Sequence, residues 1–204
     1  MRYSETHKAE THTKLVKLAG RVLREKGPDK LAVADLMAAA GLTHGGFYAH
    51  FKSKDALLEE ALQGAFEDAR QRRSASAAGL LPRQALVRYI DSYLSPAHRD
   101  RQATGCPVAA LNSDLPRQSR KFRTAFDAGV TLLVADFEDW FKAAGIADAD
   151  GLAASVLAAM AGAVAVSRGI ADKRLSDALL AATRDTIKMR LDLLDVSDSQ
   201  GSNQ

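Results

Sequence analysis

The apolar residues of this chain recur every three or four positions along most of its length, which is the period of an amphipathic α-helix. In the first third of the chain the pattern predicts four helices, at about 6–26, 33–40, 43–51 and 54–73. The Gly27-Pro28 pair ends the first of them. Residues 1–8 are polar and are expected to form a frayed arm. The Ser/Ala/Gly-rich stretch 74–79 interrupts the pattern and predicts a domain boundary.

Five further helices are predicted in the rest of the chain, separated by Pro, Gly and short polar links. They lie at about 82–96, 104–114, 116–144, 149–170 and 175–195. The fourth of these consists almost wholly of Ala, Val, Leu, Met and Gly, so it needs cover on most of its sides. That cover is either the interior of one domain or a second copy of the chain, with Val164 and Leu179 as expected interface positions. The polar segment 197–204 is predicted to be a disordered tail.

The most informative stretch is 41–54, with the sequence G-L-T-H-G-G-F-Y-A-H-F-K-S-K. Gly41 can take a left-handed conformation and end a helix, and Thr43 can cap the next one through its hydroxyl. Phe47 and Phe51 lie four residues apart, so they share one face and can anchor a short helix inward. Two short helices joined by a tight turn, the second presenting polar and small residues, is the helix-turn-helix pattern.

The residues around this turn resemble the N-terminal signature of the TetR family of transcriptional repressors. The resemblance covers about residues 10–60 and rests on Ala40-Gly41-Leu42, Phe47-Tyr48-Ala49-His50-Phe51, Lys52-Ser53-Lys54-Asp55 and Leu57-Leu58. It implies an all-α fold with an N-terminal three-helix helix-turn-helix DNA-binding domain at 1–54. A helical effector-binding and dimerisation domain would follow at 55–196. It also implies a homodimer that binds a palindromic operator in double-stranded DNA.

The chain departs from the family's usual pattern at two positions. The family commonly has Thr or Ser where Ala32 stands, and often a base-contacting Arg where Ala34 stands. The second helix therefore lacks a side-chain cap, and Ala34 can offer DNA only its methyl group. More of the DNA recognition then depends on the third helix.

The residues expected to meet DNA divide by role, because contacts to base edges specify a sequence and contacts to phosphates position the protein. Thr43 and His44 are expected to contact base edges, and Gly45 to let the backbone come close to DNA. Contacts to phosphates are assigned to Tyr48, His50 and Lys54. The Gly45-Gly46 pair has two interpretations, since each glycine costs a helix about 1 kcal/mol relative to alanine. Either packing holds a weak helix together, or the missing side chains let the backbone approach DNA.

The distribution of charge supports a polyanionic partner. The net charge of the 204 residues is only +3, but residues 1–54 hold ten Lys or Arg and five Asp or Glu. The first segment thus carries +5 and the remainder −2, and four of the five histidines lie in the basic segment. A basic end on a nearly neutral body is typical of nucleic-acid-binding proteins, although a solvated charged helix face has the same composition.

The composition and the sequence motifs also argue against several other classes of protein. One cysteine allows no internal disulfide, which fits a reducing cytoplasm, and no transmembrane helix or secretion signal is expected. Patterns of metalloproteases, α/β-hydrolases and nucleotide-binding loops do not occur in the sequence. No metal and no cofactor is therefore expected, and the chain is not expected to be an enzyme.

Cys106 is the one residue with reactive potential. It precedes Pro107, which favours the first turn of a helix, and a helix N-terminus stabilises a thiolate. The Gly-Cys pair also resembles a branch of the TetR family that includes electrophile-responsive repressors, although a small buried hydrophobe would serve equally well. An effector site is expected around Cys106, Tyr93, Asn112 and Phe126.

These observations predict a homodimeric, sequence-specific DNA-binding repressor that a small-molecule or electrophilic effector releases from its operator. The alternative is a cysteine-dependent enzyme with an accessory nucleic-acid-binding end. An enzyme of that kind needs a base near Cys106, and His98 is the nearest histidine in the sequence.

Overall fold

The computed structural model describes residues 2–194, and the side chains of residues 6–194. Within this range it contains helices and no strand, which confirms the all-α prediction. The α-helices are α1 Arg2–Lys26, α2 Val33–Ala39, α3 Lys54–Ala77, α4 Pro82–Tyr93, α5 Pro96–Asp100, α6 Pro107–Leu111, α7 Arg120–Ala143, α8 Ala149–Gly169 and α9 Lys173–Arg190. Three short 3₁₀ helices lie at His44–Ala49, Gln102–Thr104 and Leu115–Arg117. The predicted tail 197–204 lies outside the described residues.

The structure differs from the predicted elements mainly near prolines and at the start of the chain. α1 already begins at Arg2, so the expected frayed arm is part of a helix. α5 was not predicted and begins at Pro96, where Ser95 caps it by accepting a hydrogen bond from the His98 amide at 3.2 Å. The expected helix at 104–114 is shorter, because Pro107 cannot donate a backbone hydrogen bond and opens α6 at its own position.

Contacts divide the chain into two units. The first comprises Met1–Ala69 and Gln102–Gly129, and the second comprises Arg70–Arg101 and Val130–Gln204. The predicted domain boundary after residue 54 falls inside the first unit. That unit therefore contains all of the predicted DNA-binding domain together with the first part of α3 and the segment around α6.

The core of the first unit is built on α1 and α3. Leu15, Ala19 and Leu23 of α1 are fully buried, as their helical spacing predicts. On α3 the predicted apolar face is confirmed in full: Leu57, Leu58, Ala61, Leu62, Ala65 and Phe66 are all buried. Arg24 is also buried, and it donates from Nε to the Ala103 carbonyl at 2.7 Å, which fastens the segment after Gln102 to α1.

Gly129 lies in close contact with a buried aromatic ring of the first unit. A Cβ built on it would lie 2.3 Å from Cδ2 of the buried Phe66 ring, which itself packs against Phe126 with ring centroids 5.5 Å apart. We expect Gly129→Ala to lower the free energy of unfolding by about 1–3 kcal/mol, although alanine favours a helix by about 1 kcal/mol. Denaturant unfolding of the variant measures this change.

Gly151→Ala is the matched control, because a Cβ added at that helical position would meet open space. It is expected to stabilise the protein by up to about 1 kcal/mol. Equal stability changes at both positions would contradict the packing argument.

The second unit contains α4, α5, α8, α9 and the latter part of α7. The centre of α8 is buried on one side, with Val156, Met160 and Val164 fully inaccessible. By length and composition alone α8 could cross a membrane, with a mean hydropathy of 1.7, and 44% of its apolar window is buried inside the chain. That degree of burial also suits a core helix. Arg99, which is buried, donates to Ser176 at 2.7 Å and to Asp177 at 2.5 Å, and so joins α5 to α9.

Candidate DNA-binding surface and effector region

The turn between α2 and the His44–Ala49 helix forms as the sequence predicts. Gly41 has a φ of +78°, which a residue with a Cβ adopts only at a cost. The Leu42 amide donates to the Met37 carbonyl at 2.9 Å, and this closes the end of α2. Phe47 and Phe51 are both buried, with ring centroids 5.4 Å apart, so the expected anchor is confirmed.

The predicted third helix is present, but its geometry is unusual for its length and the predicted cap is wrong. The segment His44–Ala49 is a 3₁₀ helix and not an α-helix, which is reasonable for a segment that contains two glycines. The Thr43 hydroxyl does not cap it, although Thr43 holds the N-cap position. Its carbonyl does contribute, by accepting a hydrogen bond from the Gly46 amide at 3.0 Å. The predicted cap of α3 is confirmed, since the Ala56 amide donates to Ser53 Oγ at 3.0 Å.

Four of the six residues assigned to DNA are exposed on the first unit, and the other two, His50 and Lys54, are half-buried. Thr43, His44 and Gly45 are exposed, and Tyr48 is 72% exposed despite being aromatic. A Cβ added at Gly45 would meet open space, so internal packing does not require a glycine there. This observation favours the interpretation in which the bare backbone serves an outside partner.

His50 belongs to a small cluster that links three elements of the first unit. His12 on α1 lies 2.6 Å from Glu60 Oε2 on α3, and its ring stacks on Phe51 at 4.5 Å. The His50 ring lies 6.2 Å from that of His12. Burial of His50, with smaller contributions from His12 and Lys8, holds the pKa of His50 below its ordinary 6.5.

The sequence did not reveal the role of His12 and Glu60 in this cluster. The two residues lie 48 positions apart, so no local spacing could have paired them. The cluster joins α1 to α3 and to Phe51, and the His50 ring lies at its edge.

The two alanines that depart from the family's usual pattern lie at the start of α2, and neither provides a side-chain cap. Ala32 occupies the N-cap in an extended conformation and makes no side-chain cap. Ala34 is exposed in the first turn of the helix. Asp35 in the same turn is well placed to stabilise the uncapped amides through the helix dipole.

The four residues predicted to form an effector site do not all fall in one unit. Cys106 is the buried N-cap of α6, Asn112 is the exposed C-cap of the same helix, and Phe126 is buried against Phe66. All three belong to the first unit. Tyr93 belongs to the second unit, where it ends α4 and its ring lies 4.4 Å from that of His98. The described residues contain no group of three or more potential metal ligands.

Two exposed stripes run along α8 and α9 of the second unit. On α8 the exposed residues that recur every three or four positions are mostly small, and on α9 two large apolar residues lie at the ends of a stripe that also contains two alanines. The stripes consist of Ser155, Ala158, Gly162 and Val166, and of Leu175, Ala178, Ala182 and Met189. Val164, expected at an interface, is wholly buried inside its own chain, and Leu179 is partly buried.

Comparison with known proteins settles the family. The model for "Bacterial regulatory proteins, tetR family" matches residues 15–61, which include every residue assigned to DNA. A model for the "Transcriptional regulator LmrA/YxaF-like, C-terminal domain" matches residues 82–183, half of the chain. The chain belongs to the TetR family of bacterial transcriptional regulators.

Two curated relatives are named as repressors. This chain is 31% identical over 130 residues to the HTH-type transcriptional repressor DhaR of Mycobacterium sp. strain GP1, covering 63% of this chain and 60% of that one. It is 34% identical over 61 residues to the HTH-type transcriptional repressor KstR2 of Rhodococcus jostii strain RHA1, covering 30% of each. The matches thus span less than two thirds of either relative.

Solved structures share this fold over nearly the whole chain. A TetR transcriptional regulator from Chloroflexus aurantiacus J-10-FL is 27% identical, with a TM-score of 0.73, covering 93% of this chain and 96% of that one. The reduced form of Escherichia coli NemR is 19% identical, with a TM-score of 0.75. The match covers 88% of this chain and 96% of that one. At that identity the second likeness shows the fold alone.

Proposed function

We propose that this TetR-family protein is a cytoplasmic, homodimeric repressor that binds a palindromic operator through Thr43, His44, Gly45, Tyr48, His50 and Lys54. The observation that carries the proposal is the surface at 43–48, where polar, glycine and aromatic residues stand exposed on a buried Phe47-Phe51 anchor. A helix-turn-helix presents its second helix to the major groove in this way. His44 would contact base edges, and Tyr48, His50 and Lys54 would contact phosphates.

A pair of substitutions separates the two kinds of contact. His44→Ala is expected to change which sequence is preferred, at about 1–3 kcal/mol for a lost base contact. Lys54→Ala is expected to weaken binding to all sequences alike and to flatten the dependence of affinity on salt. Gel-shift titrations on a set of duplexes at several salt concentrations measure both effects.

Lys26→Ala is a suitable control, because Lys26 is exposed at the far end of α1 and is not assigned to DNA. It should leave both site preference and salt dependence unchanged. If His44→Ala kept the wild-type affinity and preference, the assignment of base contacts would be wrong.

The homodimer is proposed from the exposed stripes on α8 and α9. A monomer rarely leaves large apolar patches open to solvent, and both stripes would be covered if two copies packed α8 and α9 into a four-helix bundle. The small residues of α8 permit close helix approach, while Leu175 and Met189 supply larger apolar side chains. A two-fold dimer of this kind would set the spacing of the two DNA-binding surfaces.

The effector is proposed to act on Cys106 or beside it, with Asn112 and Phe126 of the same unit, whereas Tyr93 lies in the second unit and is left out of this site. Cys106 is buried at the start of α6, and the segment that carries it is fastened to α1 by the bond from Arg24 to Ala103. An adduct or ligand that displaced this segment would disturb α1 and, through it, the DNA-binding surface. A shift between two such states would lower operator affinity.

Cys106→Ser is expected to keep wild-type DNA affinity and to lose any release of DNA by an alkylator or peroxide. Gel-shift titration of both proteins, with and without each reagent, measures this difference. If wild-type protein keeps its DNA under both treatments, Cys106 serves only in packing and the effector is a non-covalent ligand. Turnover of a substrate that depended on Cys106 would instead support the enzyme alternative.

A further inference from the structure

A groove of about 610 Å³ runs along α1 in the first unit, and the proposed function does not use it. Its walls come from α1, from Asp68 of α3 and from Thr104 of the neighbouring 3₁₀ helix. Small-molecule sites in proteins usually have volumes of about 300–1,000 Å³. The groove is therefore large enough for an organic ligand.

The charge of the groove is concentrated on one face of α1. Lys14, Lys17 and Arg21 are exposed and stand at helical spacing, so their side chains project together. Lys14 Nζ donates to the Ala40 carbonyl at 3.1 Å. Lys17 and Arg21 make no hydrogen bond or ion pair with any residue within 6–194. Two cations are thus available to a ligand anion.

The carboxylates in the walls do not cancel this charge. Asp68 lies 3.6 Å from Arg24 Nη2 and is already paired with it. Glu10 stands at the other end of the lining, one turn of α1 before Lys14. The middle of the groove therefore keeps a positive excess, and an anionic group would sit between Lys17 and Arg21.

The groove also offers an apolar surface. Leu18 is partly buried among the cations, and the aliphatic stems of Lys and Arg add to the apolar wall. We propose that the groove binds an amphipathic organic anion, with a carboxylate or phosphate held by Lys17 and Arg21 and an apolar body against Leu18. This site is independent of the effector site proposed above.

A DNA backbone is the competing partner for the same cations. A duplex phosphate would use Lys17 and Arg21 but would leave the concave, partly apolar surface around Leu18 unfilled. The volume and the position of Leu18 therefore favour a small ligand. The experiment below includes DNA binding so that the two partners are distinguished.

Isothermal titration of the full-length protein with decanoate and decyl phosphate tests the proposal, with decyltrimethylammonium as the cationic comparison. We expect both anions to bind and the cationic decyltrimethylammonium not to bind. Lys17→Gln/Arg21→Gln should weaken anion binding about tenfold, which corresponds to about 1.4 kcal/mol for the two lost ion pairs together. Thr13→Trp, at an exposed position in the wall, should block the groove without removing charge.

The matched control is Lys26→Gln/Lys30→Gln, which removes two exposed cations of the same unit that are not in the lining. It should bind decanoate as wild type does. The proposal is overturned if wild type binds neither anion, or if the groove variants bind them unchanged. It is also overturned if Lys17→Gln/Arg21→Gln weakens DNA binding in the absence of ligand and flattens its salt dependence, because the cations then serve phosphates of DNA.

Discussion

Aspartate at both Val166 and Leu175 is expected to convert the proposed dimer into a monomer. The two residues are 55% and 57% exposed on the adjoining stripes of α8 and α9, so the chain itself does not need them buried. In a two-fold interface each substitution occurs twice, and an unpaired buried carboxylate costs at least several kcal/mol. The dissociation constant should therefore rise by at least about 1,000-fold, since about 1.4 kcal/mol is tenfold.

Sedimentation velocity at micromolar concentration measures the change in association. Leu81→Asp is the matched control, because Leu81 is 68% exposed at the start of α4 and lies outside the stripes. It should remain dimeric, and the double variant should also lose cooperative binding to paired half-sites. A double variant that stayed a DNA-competent dimer would place the interface elsewhere.

His98 is expected to make the protein less stable in mild acid. Burial, aided by the charges of Arg168, Arg72 and Arg101, lowers the pKa of His98 from 6.5 to about 4, although its bond to the Tyr93 carbonyl acts the other way. Nδ1 lies 2.7 Å from that carbonyl, which fixes the neutral ring with the proton on this nitrogen.

The sign of the pH effect follows from proton binding. Between pH 6.5 and about 4 the unfolded chain holds a proton on His98 that the folded chain does not. Stability therefore falls as the pH falls through this window, by at most about 3 kcal/mol for a shift of this size. Carboxylates act at lower pH, since hydrogen bonds from Arg99 hold the pKa of Asp100 below its ordinary 3.8.

Denaturant unfolding of wild type and His98→Gln at fixed protein concentration isolates the contribution of His98 to the pH dependence of stability. Glutamine keeps an N–H that can donate to Tyr93 but does not titrate in this range. The stability of wild type relative to the variant should fall by up to about 3 kcal/mol from pH 6.5 to pH 4. A difference that stayed constant across the window would contradict a neutral, buried His98.

Long periodic segments were the most predictable part of the fold. The buried face of α3 follows from residue spacing alone, and Gly41 and Ser53 end and begin helices through strictly local chemistry. The 3₁₀ geometry of His44–Ala49 and the uncapped Thr43 were not predictable, because small energy differences between helical forms decide them.

Contacts between segments that are far apart in the sequence could not be predicted from the pattern of apolar residues. No short-range spacing in the sequence indicates that His12 contacts Glu60 or that Arg24 binds the Ala103 carbonyl. α8 shows a different difficulty, since it is apolar around most of its circumference. Its pattern could not tell that Val164 faces inward and Val166 outward, and only the packing of the second unit decides this.

Selection of bound sequences from a pool of random duplexes tests the central claim most directly. Wild-type protein should enrich an inverted repeat whose half-sites lie about one helical turn or more apart, as a two-fold dimer requires. His44→Ala should enrich a different half-site with the same spacing. Retention of DNA by wild type without enrichment of any sequence would contradict a sequence-specific repressor.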